Sequence, residues 1–135
     1  MEKLRFLTPT KAREARETFG TPLFIYDEAI LKAQAQLALA FPNAFGLTVR
    51  FAMKASPNAA ILKLFKSLGI QIDASSIYEV ERAIRAGFLP EEISFSTQEL
   101  GHGFAEFLNR GVHINACSIA QLQKIGEACP GSEIG

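Results

Sequence analysis

RFAMKASPN, residues 50–58, closes a predicted β-strand and opens a predicted helix. From Leu47 to Lys54 the side chains alternate, so the apolar ones share one face and Lys54 is the last residue on the more polar face. Ser56 is the predicted helix N-cap, and Pro57 is the predicted first helical residue, where a missing N–H costs nothing. The stretch therefore predicts a strand that stops just past a lysine.

The rest of the chain repeats this strand and helix about every twenty residues. Further strands are predicted at 70–74, 93–96 and 112–116, and the four predicted helices cover 58–68, 77–86, 100–109 and 118–128. Such alternation is typical of a parallel sheet built from βα units. A (β/α)₈ TIM barrel needs eight units and roughly 250 residues. The sequence therefore predicts an α/β fold that is a partial TIM barrel, made of about its first four βα units.

An open, doubly wound sheet is the alternative arrangement of the same units. Every predicted strand, however, carries polar residues at alternate positions: Arg50 and Lys54, Gln71 and Asp73, Ser94 and Ser96, His113 and Asn115. Helices on both faces of an open sheet would bury these groups, whereas a barrel directs them at a shared interior. The pattern favours the barrel.

The region before the barrel contains a predicted charged helix at 10–19 and a short predicted strand at 21–27. Asp27 is the predicted N-cap of the next helix. We therefore divide the chain into an N-terminal helix and short strand, residues 1–26, and the truncated N-terminal half of a barrel, residues 27–135. Because four units are half of a barrel, we expect the chain to be a fragment of a longer protein.

The composition limits the classes of partner. With 14 Lys+Arg and 14 Asp+Glu, the net charge of zero gives no electrostatic footprint for nucleic acid or an anionic membrane. No apolar run approaches the roughly 18 residues of a membrane span, and no signal-peptide pattern follows Met1. Cys117 and Cys129 lack the spacing of metal ligands. We expect a soluble, cytoplasmic protein with reduced thiols, no metal and a small-molecule partner.

A second informative stretch, DASSIYE, begins at Asp73. Ser76 with Glu79 three residues later forms a predicted capping box, which satisfies N–H groups at a helix start. Asp73 is predicted to end the strand beside the one that ends at Lys54, and neighbouring strands lie about 5 Å apart. An aspartate there would orient the lysine, and an interior ion pair with Arg50 is an equally open alternative.

Both stretches resemble motifs of a known family. FAMKASPN is similar to the (Tyr)-Ala-Val-Lys-Ala-Asn-Pro-Asn signature of the fold-type III pyridoxal-phosphate enzymes, in the branch of the diaminopimelate, ornithine and arginine decarboxylases. The pattern Asp-x-x-Ser-x-x-Glu recurs in that branch, and AGFLPEEI at 86–93 is similar to its Ala-Gly-x-x-Pro-x-x-Ile. The resemblance spans about residues 21–134 and implies an alanine-racemase-like barrel domain.

The resemblance implies that Lys54 carries pyridoxal 5'-phosphate as a Schiff base and that Asp73 is a second catalytic residue. It places Ser76 and Glu79, with those two, in the cofactor site. The implied reaction is decarboxylation of a basic or diamino acid, diaminopimelate first and ornithine next, by a homodimeric lyase of amino-acid metabolism. The 135-residue chain alone is expected to be inactive.

Three alternatives stay open beside this interpretation. Lys54 is a solvated ammonium at a strand end in the simplest one. A second is a non-catalytic remnant of the fold that binds a cofactor or partner. The third is a Rossmann-type binding module, because Gly101-His102-Gly103 imitates a dinucleotide fingerprint, although the third glycine is missing. His102 is instead expected to be a loop residue and His113 a packed or hydrogen-bonded interior residue.

Three departures from the family pattern accompany the resemblance. Ser56 replaces the usual Asn after Lys-Ala, and Cys117 replaces an acidic residue. STQEL, residues 96–100, stands where many members have an Asn/Gly-rich stretch with a lysine. The last departure bears on the substrate.

Overall fold

The computed structural model describes residues 6–135. Its strands are β1 (Arg50–Ala52), β2 (Gln71–Ala74), β3 (Ile93–Ser96) and β4 (His113–Asn115). Its α-helices are α1 (Pro9–Phe19), α2 (Glu28–Leu39), α3 (Ala59–Ser67), α4 (Ile77–Arg85), α5 (Phe104–Asn109) and α6 (Ile119–Ala128). Within this range every helix falls short of the length and hydropathy of a membrane span.

The four strands form one parallel sheet in the order β1-β2-β3-β4. One core cluster joins the strand residues Ile72, Ala74, Ile93, Phe95 and Ile114 to the helix residues Leu62, Val80, Ala83, Phe104, Phe107 and Ile125. Helices α3 to α6 therefore cover one face of the sheet. The order never reverses, as it would in a doubly wound sheet. The predicted front half of a barrel is confirmed.

Three helices end in the same turn at the amino-terminal edge of the sheet. Gly69, Gly87 and Gly111 have φ values of 82°, 104° and 100°, a left-handed conformation that suits glycine at a helix end. The next residue donates its N–H back into the helix: Ile70 to the Phe65 carbonyl (3.1 Å), Phe88 to Ala83 (3.1 Å) and Val112 to Phe107 (3.0 Å). Each donor's side chain is buried and leads into the following strand.

An ion pair joins α3 to the turn before β3. The Lys66 ammonium bonds the Glu92 carboxylate and lies 5.0 Å from the centre of the Phe88 ring. Glu92 also accepts the Leu89 N–H at 2.7 Å. Partial burial raises the pKa of the Glu92 carboxyl, but the bonds from Lys66 and Leu89 outweigh burial and hold that pKa below its ordinary value. The charged carboxylate is therefore favoured by folding.

The N-terminal region follows the prediction except for its strand. Helix α1 is capped by Thr8 and ends at Gly20, and Asp27 caps α2 by accepting the Ile30 N–H at 2.9 Å. Residues 21–26 are not a strand, so that prediction is wrong. A strand requires a neighbour for its N–H and C=O groups. No backbone bond described for residues 6–135 supplies one to this segment.

Helix α5 also differs from the prediction, because it begins at Phe104 instead of Leu100. Gly103 precedes it with a φ of 88° and offers no side-chain cap. Leu100 is buried in the core, so residues 100–103 form a loop anchored by one apolar side chain.

Candidate functional site

Helix packing leaves the polar side chains of the strands on the opposite face of the sheet. Asp73 pairs in register with Ser94, and Ser94 with His113. Ser96 and Asn115, two positions after Ser94 and His113, lie at the carboxyl ends of β3 and β4. In a barrel of βα units this edge carries the chemistry.

Lys54 lies in a short 3₁₀ turn, Met53–Ala55, that follows β1. Met53 is fully buried and anchors the turn, whereas Lys54 is exposed. The sequence prediction that the strand stops just past Lys54 is therefore wrong, because β1 already ends at Ala52. The chain reaches the predicted edge of the sheet, but through a turn that presents the ammonium to solvent.

The start of the next helix also differs from the prediction. Asn58, not Ser56, is the N-cap, and its side chain accepts the Ala60 N–H at 2.9 Å. Ser56 instead donates its N–H to the Met53 carbonyl at 3.1 Å and is extended, with a φ of −163°. Ser56 closes the 3₁₀ turn as its C-cap, so the helix cap falls to Asn58 and α3 starts at Ala59.

Asp73 belongs to a chain of hydrogen bonds that crosses three strands. The Ser96 hydroxyl lies 3.4 Å from Asp73 Oδ1, and Asn115 Nδ2 donates to Ser96 Oγ at 2.8 Å and to Ser94 Oγ at 2.9 Å. Because Ser96 Oγ accepts a hydrogen bond from the Asn115 amide, its own hydroxyl hydrogen is available for a bond to the aspartate. These four residues therefore share one face of the sheet, as the alternation predicted.

The two ion pairs considered for Asp73 are not formed. The salt bridges found in residues 6–135 include neither Asp73 nor Lys54 nor Arg50. The structure thus brings Lys54 and Asp73 to neighbouring strand ends without direct pairing. The Lys54 amine is exposed and free of a carboxylate within that range, which suits an amine that must react with an aldehyde.

Ser76 and Glu79 form the predicted cap of α4. Ser76 Oγ accepts the Glu79 N–H at 3.2 Å, and Glu79 Oε2 accepts the Ser75 N–H at 2.6 Å. The carboxylate therefore reaches one residue further back than the capping box requires. An open cleft of about 270 Å³ lies beside this cap and is lined by Ser76, Ile77, Tyr78, Glu99, Gly101 and His102.

The same cap recurs at α6, where the sequence interpretation missed it. Ser118 Oγ accepts the Gln121 N–H at 3.2 Å, and Gln121 Oε1 accepts the Cys117 N–H at 2.8 Å. The spacing Ser-x-x-Gln is the signal that could have found it. Gln121 is buried, unlike its neighbours on α6.

The polar face of the sheet also borders a cleft of about 310 Å³, lined by Arg50, Ser94, residues 113–115 and residues 133–135. Gly135 donates its N–H to the Ile114 carbonyl and accepts the Ala116 N–H, both at 3.0 Å. His113 is exposed here, so residues 6–135 by themselves do not form the packed or hydrogen-bonded interior position that was predicted for it. His102 is exposed in a loop, as predicted.

The fold and this edge define a class: the chain is part of a (β/α)₈ barrel with its polar residues at the carboxyl ends of the strands. Comparison with known proteins narrows that class. The sequence model of the family described as "Pyridoxal-dependent decarboxylase, pyridoxal binding domain" matches residues 28–135. The chain belongs to this family. The predicted family is thus confirmed, and pyridoxal phosphate is supported as its cofactor.

Individual relatives agree with this assignment. Diaminopimelate decarboxylase of Streptomyces coelicolor is 34% identical over 131 residues, which are 93% of this chain and 28% of that enzyme. A crystal structure of a diaminopimelate decarboxylase superposes with a TM-score of 0.83 at 30% identity, over 94% of this chain and 30% of the other. Ornithine decarboxylase from Entamoeba histolytica gives a TM-score of 0.76 at 25% identity, over 91% of this chain and 40% of that one. The chain therefore spans less than half of each relative.

Proposed function

We propose that the whole protein is a pyridoxal-phosphate-dependent amino-acid decarboxylase, with diaminopimelate as the first candidate substrate and ornithine as the second. The observation that carries the proposal is the exposed Lys54 amine on the turn after β1, in a chain of the pyridoxal-binding family. The similarity to diaminopimelate decarboxylases over most of the chain supports the order of the two substrates.

Lys54 supplies the primary amine that holds the cofactor through its aldehyde. Once bound, the cofactor ring provides the electron sink that decarboxylation needs. The buried Met53 anchors the turn, so the backbone of Lys54 keeps a defined position at the edge of the sheet. An ammonium must lose its proton before it can react with the aldehyde.

Asp73 acts as the acidic neighbour of Lys54. Its carboxylate is half-buried and accepts a long hydrogen bond, 3.4 Å, from the Ser96 hydroxyl, which directs it along the polar face of the sheet. Ser76 and Glu79 line the cofactor site from the start of α4, where N–H groups and the helix dipole favour an anionic group. The Ser76 hydroxyl accepts a bond from Glu79 and retains its own proton for a ligand.

We also propose that the whole protein is a cytoplasmic homodimer, as the family resemblance implies. The alternative to an enzyme is a non-catalytic relative that binds pyridoxal phosphate or a partner. The exposed Lys54 is compatible with either, so cofactor attachment and turnover must be measured separately.

Borohydride reduction of the whole protein with pyridoxal phosphate tests the role of Lys54, because reduction fixes the cofactor on the lysine that holds it. We expect the label on Lys54, its loss in Lys54→Ala and its retention in the matched control Lys63→Ala. Lys63 is exposed on α3. A label on Lys63 or Lys66 would contradict the assignment.

Release of CO₂ from diaminopimelate and from ornithine tests the reaction itself. We expect faster release from diaminopimelate, and none from either substrate in Lys54→Ala. A protein that is labelled on Lys54 but releases no CO₂ from any basic amino acid would support the non-catalytic alternative.

A further inference from the structure

Gln121 joins two consecutive βα units through one buried side chain. Its Oε1 accepts the Cys117 N–H at 2.8 Å, and its Nε2 donates to the Thr97 carbonyl at 3.0 Å and to the Gln98 carbonyl at 2.8 Å. Both hydrogens of the amide nitrogen are therefore used. The side chain, 8% exposed, is fixed between the start of α6 and the loop after β3.

Capping alone does not require this amide. At α4 the equivalent position is Glu79, whose carboxylate accepts the N–H of Ser75 in the way that Gln121 accepts that of Cys117. A carboxylate satisfies the cap but cannot donate. The two bonds to the carbonyls of Thr97 and Gln98 thus require a glutamine and are separate from its role in the helix cap.

The loop that Gln121 holds begins directly after Ser96. Ser96 donates to Asp73, and its oxygen accepts from Asn115, which belongs to the same βα unit as Gln121. Two carboxamides of the fourth unit therefore hold the end of β3, one through the Ser96 side chain and the other through the backbone at 97–98.

The far end of the loop is held by close packing. A Cβ atom added to Gly101 would lie 3.1 Å from Cδ1 of Ile77, the first residue of α4. The loop is therefore fixed by Gln121 at its start and by Ile77 near its end. Its path between α4 and α6 leaves little freedom for Ser96.

We propose that Gln121 is a positioning residue, which holds the end of β3 so that Ser96 meets Asp73 beside Lys54. The inference rests on the proposed function, because the position of Asp73 matters for catalysis only if Lys54 holds the cofactor. Gln121 itself touches neither residue. Its effect passes through the backbone at 97–98 and then through the Ser96 hydroxyl.

Gln121→Glu in the whole enzyme tests the inference, since it preserves the acceptor for Cys117 and removes both donors. Gln123→Glu is the matched control, because it makes the same charge change at an exposed position of α6. Hydrogen exchange of the amides at 97–103, cofactor occupancy and kcat are measured on both variants.

We expect Gln121→Glu to speed exchange in the loop and to lower kcat by about tenfold or more, as misplacement of a catalytic group does. Cofactor occupancy and the control variant should match the original protein. The defect should shrink as the pH falls, because the introduced carboxyl, buried against two carbonyl oxygens, becomes protonated and regains one donor. A merely structural role would instead lower cofactor occupancy together with kcat.

Equal loop exchange and equal kcat in the two glutamate variants would overturn the inference. If Gln121→Glu does not fold, Gln121→Met, which keeps the length of the side chain without a charge, is measured in the same way. Loop exchange does not depend on turnover. If Gln121→Glu speeds loop exchange in a protein that shows no decarboxylase activity, the proposed function is contradicted. The conclusion that Gln121 holds the loop after β3 would still stand.

Discussion

Removing the Ser76 hydroxyl separates its role in the helix cap from its proposed role in the cofactor site. Ser118 provides the comparison, because the two hydroxyls accept the N–H three residues later at the same distance, 3.2 Å. Ser76→Ala and Ser118→Ala each leave one N–H at a helix start without its side-chain acceptor. We expect each to lower the free energy of unfolding by about 1 kcal/mol.

The cofactor affinities of the two variants should differ. If the Ser76 hydroxyl donates a hydrogen bond to the cofactor, its removal should cost about 1 kcal/mol of binding free energy. The dissociation constant of pyridoxal phosphate should then rise roughly fivefold. Ser118→Ala should leave that constant unchanged. Urea unfolding gives the stabilities, and the change in cofactor absorbance on titration gives the affinities.

Two results would refute this reasoning. Equal cofactor affinities in Ser76→Ala and Ser118→Ala would restrict Ser76 to the cap. Stabilities that differ by more than about 1 kcal/mol would show that the shared cap geometry does not determine the cost.

Three further predictions concern stability and association. Glu92→Gln should reduce the free energy of unfolding by about 0.5–1 kcal/mol at neutral pH. Because folding lowers the pKa of Glu92, the stabilisation from its carboxylate is present above the ordinary carboxyl pKa and disappears as the pH falls through the folded-state value. Urea unfolding should therefore show the deficit fading in acid, and Glu91→Gln, at an exposed position, is the control. Ile72→Val, in the fully buried core, should cost about 0.5–1.5 kcal/mol, whereas Ile119→Val, 72% exposed, should cost less than about 0.5 kcal/mol in the same assay. The 135-residue polypeptide alone should release no CO₂ in a decarboxylase assay and should associate through the free edge of β1, which light scattering would detect. A monodisperse, active monomer would contradict this prediction.

Features set by neighbouring residues were predicted well from the sequence. Strand β3 at 93–96 is correct to the residue, and the caps at Asp27 and Ser76 are where the pattern placed them. Each depends on contacts within a few residues, such as a side-chain oxygen and the N–H three positions later. The carboxyl-edge position of Lys54 and Asp73 followed from strand alternation combined with the βα order.

Features that depend on distant contacts were not predicted. The turn at Lys54 exists because Met53 is buried beneath it, and that burial depends on residues far along the chain. The bonds of Gln121 to the loop after β3 cross more than twenty positions, so local pattern could find only its cap. Residues 21–26 have strand-like composition, yet no described neighbour pairs with them. Pairing, not propensity, decides a strand.

The repeated glycine turns after α3, α4 and α5 show that the two edges of the sheet are constrained in different ways. At the amino-terminal edge Gly69, Gly87 and Gly111 make one backbone turn three times, and a side chain at any of them would meet an unfavourable φ. At the carboxyl edge the three connections after β2, β3 and β4 differ in length and in sequence. Backbone conformation therefore limits the residue type at one edge, whereas the contacts of individual side chains limit it at the other. Substitutions in the carboxyl-edge loops can therefore reshape that edge while the three glycine turns that return the chain to the sheet keep their conformation.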